Sequence, residues 1–426
     1  MSLRLCSFWQ GPGEVATSKV FLGGIFVTKI KGGFYMRLLV KNAHVITPYE
    51  ILRNYDLAVE KNKISRILPS GVLDERDFDE IIDAEGNHVS PGFIDIHTHA
   101  NSGFDTMDGT FEAIDAMARF HIKNGVTGFL TTTMTDSTEN LEKAIKNVAS
   151  YISLQRGKPQ TLDTSGSSPA EVLGLYLEGP YFAETKKGAQ SPKYLKNPDI
   201  QELTKFIKLS EGSVKVVALA PELPGAMKAI RFLRSQGIIV SAGHTDAAFD
   251  TARQAFDFGV TQVTHVFNGM RGFTHREPGI SGAALIDERV YCEMICDSIH
   301  LHPGAMKLVV KAKGKDKIIL ISDSMMAAGL SDGEYTLGGQ KVIVKGKEAR
   351  LLDGTLAGST LTLNRAIYNM VHMVGVSLAD AVRMATLNPA RAIGIDKQKG
   401  SIEIGKDADL VIFDEDLNIL KVIKSY

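Results

Sequence analysis

The sequence is poor in cysteine. Its 426 residues hold three, Cys6, Cys292 and Cys296. An odd count this low excludes a disulfide framework, and Cys292 with Cys296 lacks the second pair that a structural zinc site would need. Net charge is lacking too, since 48 Lys and Arg stand against 49 Asp and Glu. That balance excludes the basic footprint of a nucleic-acid binder and gives no attraction to an anionic membrane surface. No apolar run approaches the roughly 20 residues that span a bilayer. The short run Val20 to Val27 is followed by no small-residue cleavage site, which argues against a secretory signal. No Gly-rich nucleotide fingerprint stands between a strand and a helix. What remains is an ordinary globular composition, 44% hydrophobic and 23% charged, long enough for one or two domains. A reducing, cytoplasmic setting fits the cysteine usage, with no nucleic-acid or membrane partner.

The chain reads as three regions. Residues 1–35 are Gly-rich and patternless, and Met36 opens the cleaner segment Arg37-Leu38-Leu39-Val40. Met36 is therefore expected to be the natural start, with residues 1–35 a leader outside the native structure. Residues 36–90 carry short alternating strands, Leu38–Val40, His44–Thr47, Leu57–Val59 and Ile64–Leu68, with a turn at Lys61-Asn62-Lys63. They are too few to bury a core alone. Gly400 to Asp414 and Leu420 to Ile423 repeat the same style at the far end. The expectation is a small β-sandwich domain built from both termini, residues 36–90 plus 396–426, with residues 91–395 inserted between.

That insert alternates strands and helices. Buried-strand runs are Phe93–Ile96, Val126–Thr132, Val172–Leu177, Val214–Leu219, Ile238–Ser241, Gln262–Thr264, Val290–Ile295 and Ile318–Ile321. Amphipathic stretches such as Phe111–Lys123, Leu141–Leu154, Ala226–Ser235, Ala247–Phe258 and Pro303–Ala312 fill the gaps. About eight strand–helix units predict an α/β fold, a (β/α)8 TIM-like barrel. Asn388-Pro389 is read as a break between the last helices.

In such barrels chemistry sits at the C-terminal strand ends. Five of the eleven histidines fall there, His97, His99, His244, His265 and His300, together with Glu178 and Asp323. His97 and His99 are two apart on a strand, so both imidazoles face one point. Singly, each residue could be a helix cap, a core group or a solvated loop residue. Asp246 is read as such a cap, for the helix starting near Ala247, and is left out of the site. His44, His88, His121 and His372 are read as surface or satisfied structural groups. Jointly, Glu178, His244 and His265 make one carboxylate and two imidazoles with a position open for water, the pattern of a catalytic metal site. His97 and His99 can hold a second ion, and Glu178 is the candidate bridge. Asp323 beside them can take a proton from the water and pass it to a leaving nitrogen. One or two divalent ions are expected, zinc first, with iron, manganese or cobalt also suited to this ligand set. Downstream, Asn268 and Gly269 offer backbone N–H groups, Arg271 and Arg276 offer cations for an anionic substrate, and Asp353 to Thr360 is a Gly-interrupted loop.

Taken together, Pro91-Gly-Phe-Ile-Asp95, Leu177-Glu-Gly-Pro-Tyr181, Lys186-Lys-Gly-Ala189, Gly243-His-Thr-Asp-Ala247, Thr264-His-Val-Phe-Asn-Gly-Met270, Arg276-Glu-Pro-Gly279, Ser322-Asp-Ser-Met325, Asp332-Gly-Glu-Tyr335 and Gly354-Thr-Leu-Ala-Gly-Ser359 resemble the N-acetylglucosamine-6-phosphate deacetylases of the amidohydrolase superfamily. The resemblance spans about residues 36–415. It implies hydrolysis of N-acetyl-D-glucosamine 6-phosphate to D-glucosamine 6-phosphate and acetate by a homodimer. It implies metal ligands at Glu178, His244 and His265, and His97 and His99 mark the two-metal kind. Asp323 matches the general base and acid, His300 the residue that helps polarise the amide carbonyl, and Arg276 the phosphate-binding Arg. Ala189, Asn268, Gly269, Asp297, His300, Leu356, Ala357 and Gly358 match substrate contacts. One departure stands out. The family often continues Lys-Lys-Gly-Ala with His, and here Gln190 follows; Gln190 is expected to reach a sugar hydroxyl and to bear on the choice between C4 epimers. The alternatives are the galactosamine epimer as substrate, or another amide hydrolase of the superfamily. Many of the latter use a Lys at the end of strand four, where this chain has Leu219-Ala-Pro-Glu222. A barrel without metal or catalysis is a further alternative, but the main ligand positions are all filled.

Overall fold

The computed structural model describes residues 18–22, 25–30, 33–34, 36–159 and 161–425. Eight parallel strands lie side by side in chain order: β1 (Phe93–Thr98), β2 (Val126–Thr132), β3 (Glu171–Glu178), β4 (Val214–Leu219), β5 (Ile239–Ala242), β6 (Val260–Val263), β7 (Tyr291–Ile295) and β8 (Ile318–Ile321). Each begins and ends within two residues of its sequence expectation. They are readable because both faces are buried: every residue of β1, β2 and β8 is inside, so apolar residues fall at adjacent positions instead of alternating with exposed polar ones. The seam between β8 and β1 closes just past the strands. The Asp323 N–H donates to His97 O at 2.9 Å, and the His99 and Ala100 N–H groups donate to Ser324 O at 3.1 and 3.0 Å. Asp95 Oδ1 accepts from the backbone N–H of both His97 and Ser322 at 3.3 Å. Gly92 is required at the entry to β1, where a Cβ would come within 2.0 Å of Thr127 Oγ1.

Helices jacket the barrel. Helix Thr138–Arg156 shows why: Leu141, Ala144, Ile145, Val148 and Ile152 recur at helical spacing and are buried, while Ser137 caps the first turn by accepting from the Asn140 N–H. Asn388 and Pro389 do not themselves form the break expected between the last helices, which falls just before them, between Met384 and Leu387. They lie in the first turn of helix Leu387–Ala392, where a missing N–H does no harm. Asp246 does not cap the next helix either. That helix starts at Phe249 with no side-chain cap, and Asp246 pairs with Arg271 at 3.2 Å.

The chain's two ends share a second sheet. Its order is Leu162–Asp163, Ile419–Ser425, Leu410–Phe413, His88–Pro91, Leu38–Ile46, Ile51–Glu60 and Lys63–Pro69, with Glu80–Asp83 beside Leu38–Ile46. It has its own core, including Leu38, Val40, Leu57, Val59, Val89, Leu410 and Ile423. A partly buried ion cluster ties it to the barrel. Lys424 and Lys399 both reach Glu171, the first residue of β3, and Asp409 of the terminal sheet. A three-stranded antiparallel sheet, Gly333–Leu337, Gln340–Lys345 and Glu348–Leu351, was not anticipated and follows β8. The leader reading falls mainly on residues outside the described set. Within that set, Ser18–Leu22, Ile25–Ile30 and Gly33–Phe34 form a sheet that pairs with no other.

His121 is neither exposed nor satisfied, as the sequence reading had it. It is 4% exposed, 4.5 Å from the Phe129 ring, and its Nε2 has no hydrogen-bond partner. Burial pushes its imidazole down to about 3. The unfolded chain therefore binds a proton near pH 6.5 that the folded chain refuses, so stability falls as pH drops below about 6.5. From pH 7 to pH 5 this site removes about 2 kcal/mol. His121→Leu should flatten the stability–pH curve by that amount in urea unfolding, and parallel curves for the two proteins would contradict it.

Candidate metal centre

Six ionisable side chains meet at the barrel mouth. His97 and His99 come from the end of β1, Glu178 ends β3, and His244, His265 and Asp323 each lie two residues past β5, β6 and β8. All six are buried. His244, His265 and Asp323 have φ of 45°, 30° and 48°, a left-handed conformation that costs a non-glycine residue ~1 kcal/mol each. Three strained turns in one place re-aim three side chains off the strand ends into one volume. Two triads result, Glu178 with His244 and His265, and His97 with His99 and Asp323. Within each, the potential ligand atoms lie within 4.8 Å of one another.

The imidazole tautomers follow from their partners. His244 Nδ1 lies 2.9 Å from Lys186 O, and His265 Nδ1 lies 3.1 Å from Asn268 O. Carbonyls only accept, so both rings donate from Nδ1 and leave Nε2 bare. His97 donates from Nδ1 to Glu293 Oε2 at 2.9 Å, and its Nε2 has no hydrogen-bond partner. The bare nitrogens converge. His244 Nε2 and His265 Nε2 are 3.2 Å apart, and Glu178 Oε1 is 3.3 to 3.5 Å from Nε2 of His265, His244 and His97. Glu178 Oε2 and Asp323 Oδ1 are 3.3 and 3.2 Å from His99 Nε2. Lone pairs pointed at one another in a buried space call for a cation between them, and this donor set fits a divalent metal. The electrostatics agree. Burial pushes the Glu178 carboxyl up, but positive charge among its imidazole neighbours, His97 first and then His244, His265 and His99, holds it well below the usual range. Burial likewise opposes the charge on Asp323, yet His97 and His99 draw it down to about 2.

Above the triads lies a cavity of about 360 Å³. Of the expected substrate contacts, Ala189, Asn268, Gly269, His300, Leu356 and Gly358 line it, and Arg276, Asp297 and Ala357 do not. Arg276 is exposed and Ala357 is fully buried. Asp297 turns to His300: its Oδ2 accepts from His300 Nδ1 at 2.6 Å, and its Oδ1 accepts from the Ile299 and His300 N–H groups. Gly269 has no room for a side chain, since a Cβ would sit 2.9 Å from His244 Nδ1.

Gln190 departs from expectation. It is 2% exposed, its Nε2 donates to Glu178 Oε2 at 2.7 Å, and its Oε1 accepts from the Thr135 N–H at 2.8 Å. It clamps the central carboxylate, with its amide already engaged by protein groups. The sequence reading also missed Arg350, the sole Arg or Lys lining the cavity among the described residues, because its three-stranded sheet was not foreseen. The alternation in Lys341-Val-Ile-Val-Lys345 was the available signal.

A parallel (β/α)8 barrel with a carboxylate–imidazole cluster at its C-terminal mouth defines a metal-dependent hydrolase of the TIM-barrel class. Residues 88–425 match the sequence model described as Amidohydrolase family. The chain is 38% identical to N-acetylgalactosamine-6-phosphate deacetylase of Escherichia coli O157:H7 over 91% of its length and 98% of the relative's. It is 38% identical to N-acetylglucosamine-6-phosphate deacetylase of Bacillus subtilis, over 91% and 95%. The solved N-acetylglucosamine-6-phosphate deacetylase from Pasteurella multocida superposes with a TM-score of 0.84 at 31% identity, covering 92% of this chain and all of that one. The chain belongs to the amidohydrolase family. Among the described residues no helix is long and apolar enough to cross a membrane.

The clamp on Glu178 is testable. Gln190→Leu leaves the Thr135 N–H and Glu178 Oε2 without their partner, which should cost about 1–3 kcal/mol in urea unfolding of the metal-free protein. Unchanged stability would contradict the clamp.

Proposed function

We propose that the protein is a metal-dependent deacetylase that hydrolyses N-acetyl-D-glucosamine 6-phosphate to D-glucosamine 6-phosphate and acetate. The observation that carries this reading is the convergence of Glu178, His244, His265 and Asp323 beneath a cavity of sugar-phosphate size. The names of the B. subtilis and P. multocida relatives support the substrate.

Glu178, His244 and His265 would hold one divalent ion, and His97, His99 and Asp323 a second, with Glu178 between them. Zinc suits the set best, with iron, manganese and cobalt as alternatives. When bound, such an ion supplies Lewis acidity, making water a nucleophile near neutral pH and polarising the amide carbonyl. Asp323, ionised in its cluster, takes the proton of the attacking water at a carboxylate oxygen and returns it to the leaving nitrogen. Asp297 fixes the His300 ring through Nδ1, and Nε2 donates to the substrate carbonyl oxygen when the ring carries both of its protons. Ala189, Asn268, Gly269, Leu356 and Gly358 hold the sugar. For the phosphate, Arg350 is the cation of the chain's own cavity. Arg276 serves it only from outside that lining, which fits a homodimer with the mouth near its interface. We place the enzyme in the cytoplasm.

A second reading has a specific basis. The E. coli relative named for the galactosamine epimer is as similar as the B. subtilis one. Gln190 lines the cavity with its amide held by Glu178 and Thr135, so we infer that other residues choose between C4 epimers. Acetate release from the two 6-phosphates, side by side, separates the readings. We expect faster turnover of the glucosamine derivative, loss of activity with a chelator, return with zinc, and a fall on the order of 10²–10⁴ in kcat for Asp323→Asn. Activity on neither sugar phosphate in the metal-loaded enzyme would overturn the proposal.

A further inference from the structure

Glu293 has no counterpart in the chemistry described so far. It sits in β7, is 0% exposed, and points into the barrel beneath the metal centre. Its two hydrogen bonds are from His97 Nδ1 at 2.9 Å and from the Tyr176 hydroxyl at 3.2 Å. A carboxylate only accepts, and this sets the direction of a buried chain. Ser241 Oγ lies 2.7 Å from Thr264 Oγ1, which lies 2.8 Å from the Tyr176 hydroxyl. With Tyr176 donating to Glu293, Thr264 donates to Tyr176 and Ser241 to Thr264. The whole chain is oriented toward Glu293, and so is the His97 ring.

The four imidazoles of the mouth are not equally supported. His244 and His265 donate to neutral carbonyl oxygens, and His99 Nδ1 has no hydrogen-bond partner. His97 alone donates to a carboxylate. A fully buried carboxylate held by one N–H and one O–H is costly unless positive charge lies close by. A metal ion at the far nitrogen of His97 would bring that charge, and this nitrogen faces Glu178 Oε1 at 3.5 Å and Asp323 Oδ1 at 3.6 Å.

Resting on the two-ion reading above, we infer that Glu293 is the positioning residue of the second ion. Through His97 it makes the His97, His99 and Asp323 triad a binding site in its own right, while the Glu178, His244 and His265 triad stands without it. Glu293 decides whether the enzyme carries one ion or two. It touches no substrate and is not a catalytic residue.

The test is metal stoichiometry, not turnover. The metal-free full-length protein is titrated with zinc against a chromophoric chelator, and ions per chain are counted by elemental analysis after gel filtration. Wild type should bind two ions. Glu293→Gln should bind the second 10–100-fold more weakly, the usual effect of losing a buried partner of a metal-bound His, with the first unchanged. Circular dichroism of the metal-free variant checks its fold. Should Gln not fold there, Glu293→Asp, one methylene shorter and out of reach of His97, should show the same selective loss. Two ions held at wild-type affinity, or both weakened equally, would overturn the role of Glu293. One ion in the wild type would overturn the two-ion reading itself, and that result appears before any variant is made.

Discussion

Glu178 is a buried carboxylate whose neighbours are mostly imidazole nitrogens, and everything else about the molecule bears on that arrangement. Four rings and two carboxylates with their lone pairs turned inward are unfavourable in a dry barrel mouth. Protons or metal ions must occupy the middle. Backbone carbonyls and Glu293 take the Nδ1 hydrogens of three rings, so the bare nitrogens are presented ready-made. Gln190 fixes the carboxylate between them. The centre is preorganised before anything binds, which is how a site keeps its geometry through a reaction.

The fold supplies the force that holds these groups together. The strands that lead to the mouth are buried on both faces and cannot shift without exposing the core. Strain at His244, His265 and Asp323 is tolerated because that core fixes both ends of each turn. The sheet made from both ends of the chain anchors the opposite side, through the partly buried Lys424, Asp409, Glu171 and Lys399 cluster.

Much of this was legible in the residue order. Doubly buried strands leave apolar runs that are hard to misread, and a His or Glu just after such a run stands out. Glu178, His244, His265, Asp323, His97 and His99 were found that way. What stayed hidden depends on side-chain direction. Asp246 and Gln190 were assigned by local motif, but the partners that claim them, Arg271 and Glu178, are set by the folded chain. Glu293 lies inside a strand rather than at its end, so nothing in the pattern set it apart from the core. Arg350 was lost with its sheet. Asn388-Pro389 marked the break between the last helices closely but not at its exact place, because a proline is accepted in the first turn of the helix that follows.

Imidazole and carboxylate side chains from distant parts of the chain meet at one buried point, where we propose that they share metal. X-ray absorption at the zinc edge of the reconstituted protein tests it most directly. The spectrum should show a shell of nitrogen and oxygen at about 2.0–2.1 Å, with the outer scattering of coordinated imidazole rings and no sulfur. A sulfur shell near 2.3 Å, or oxygen alone with no imidazole signature, would contradict it.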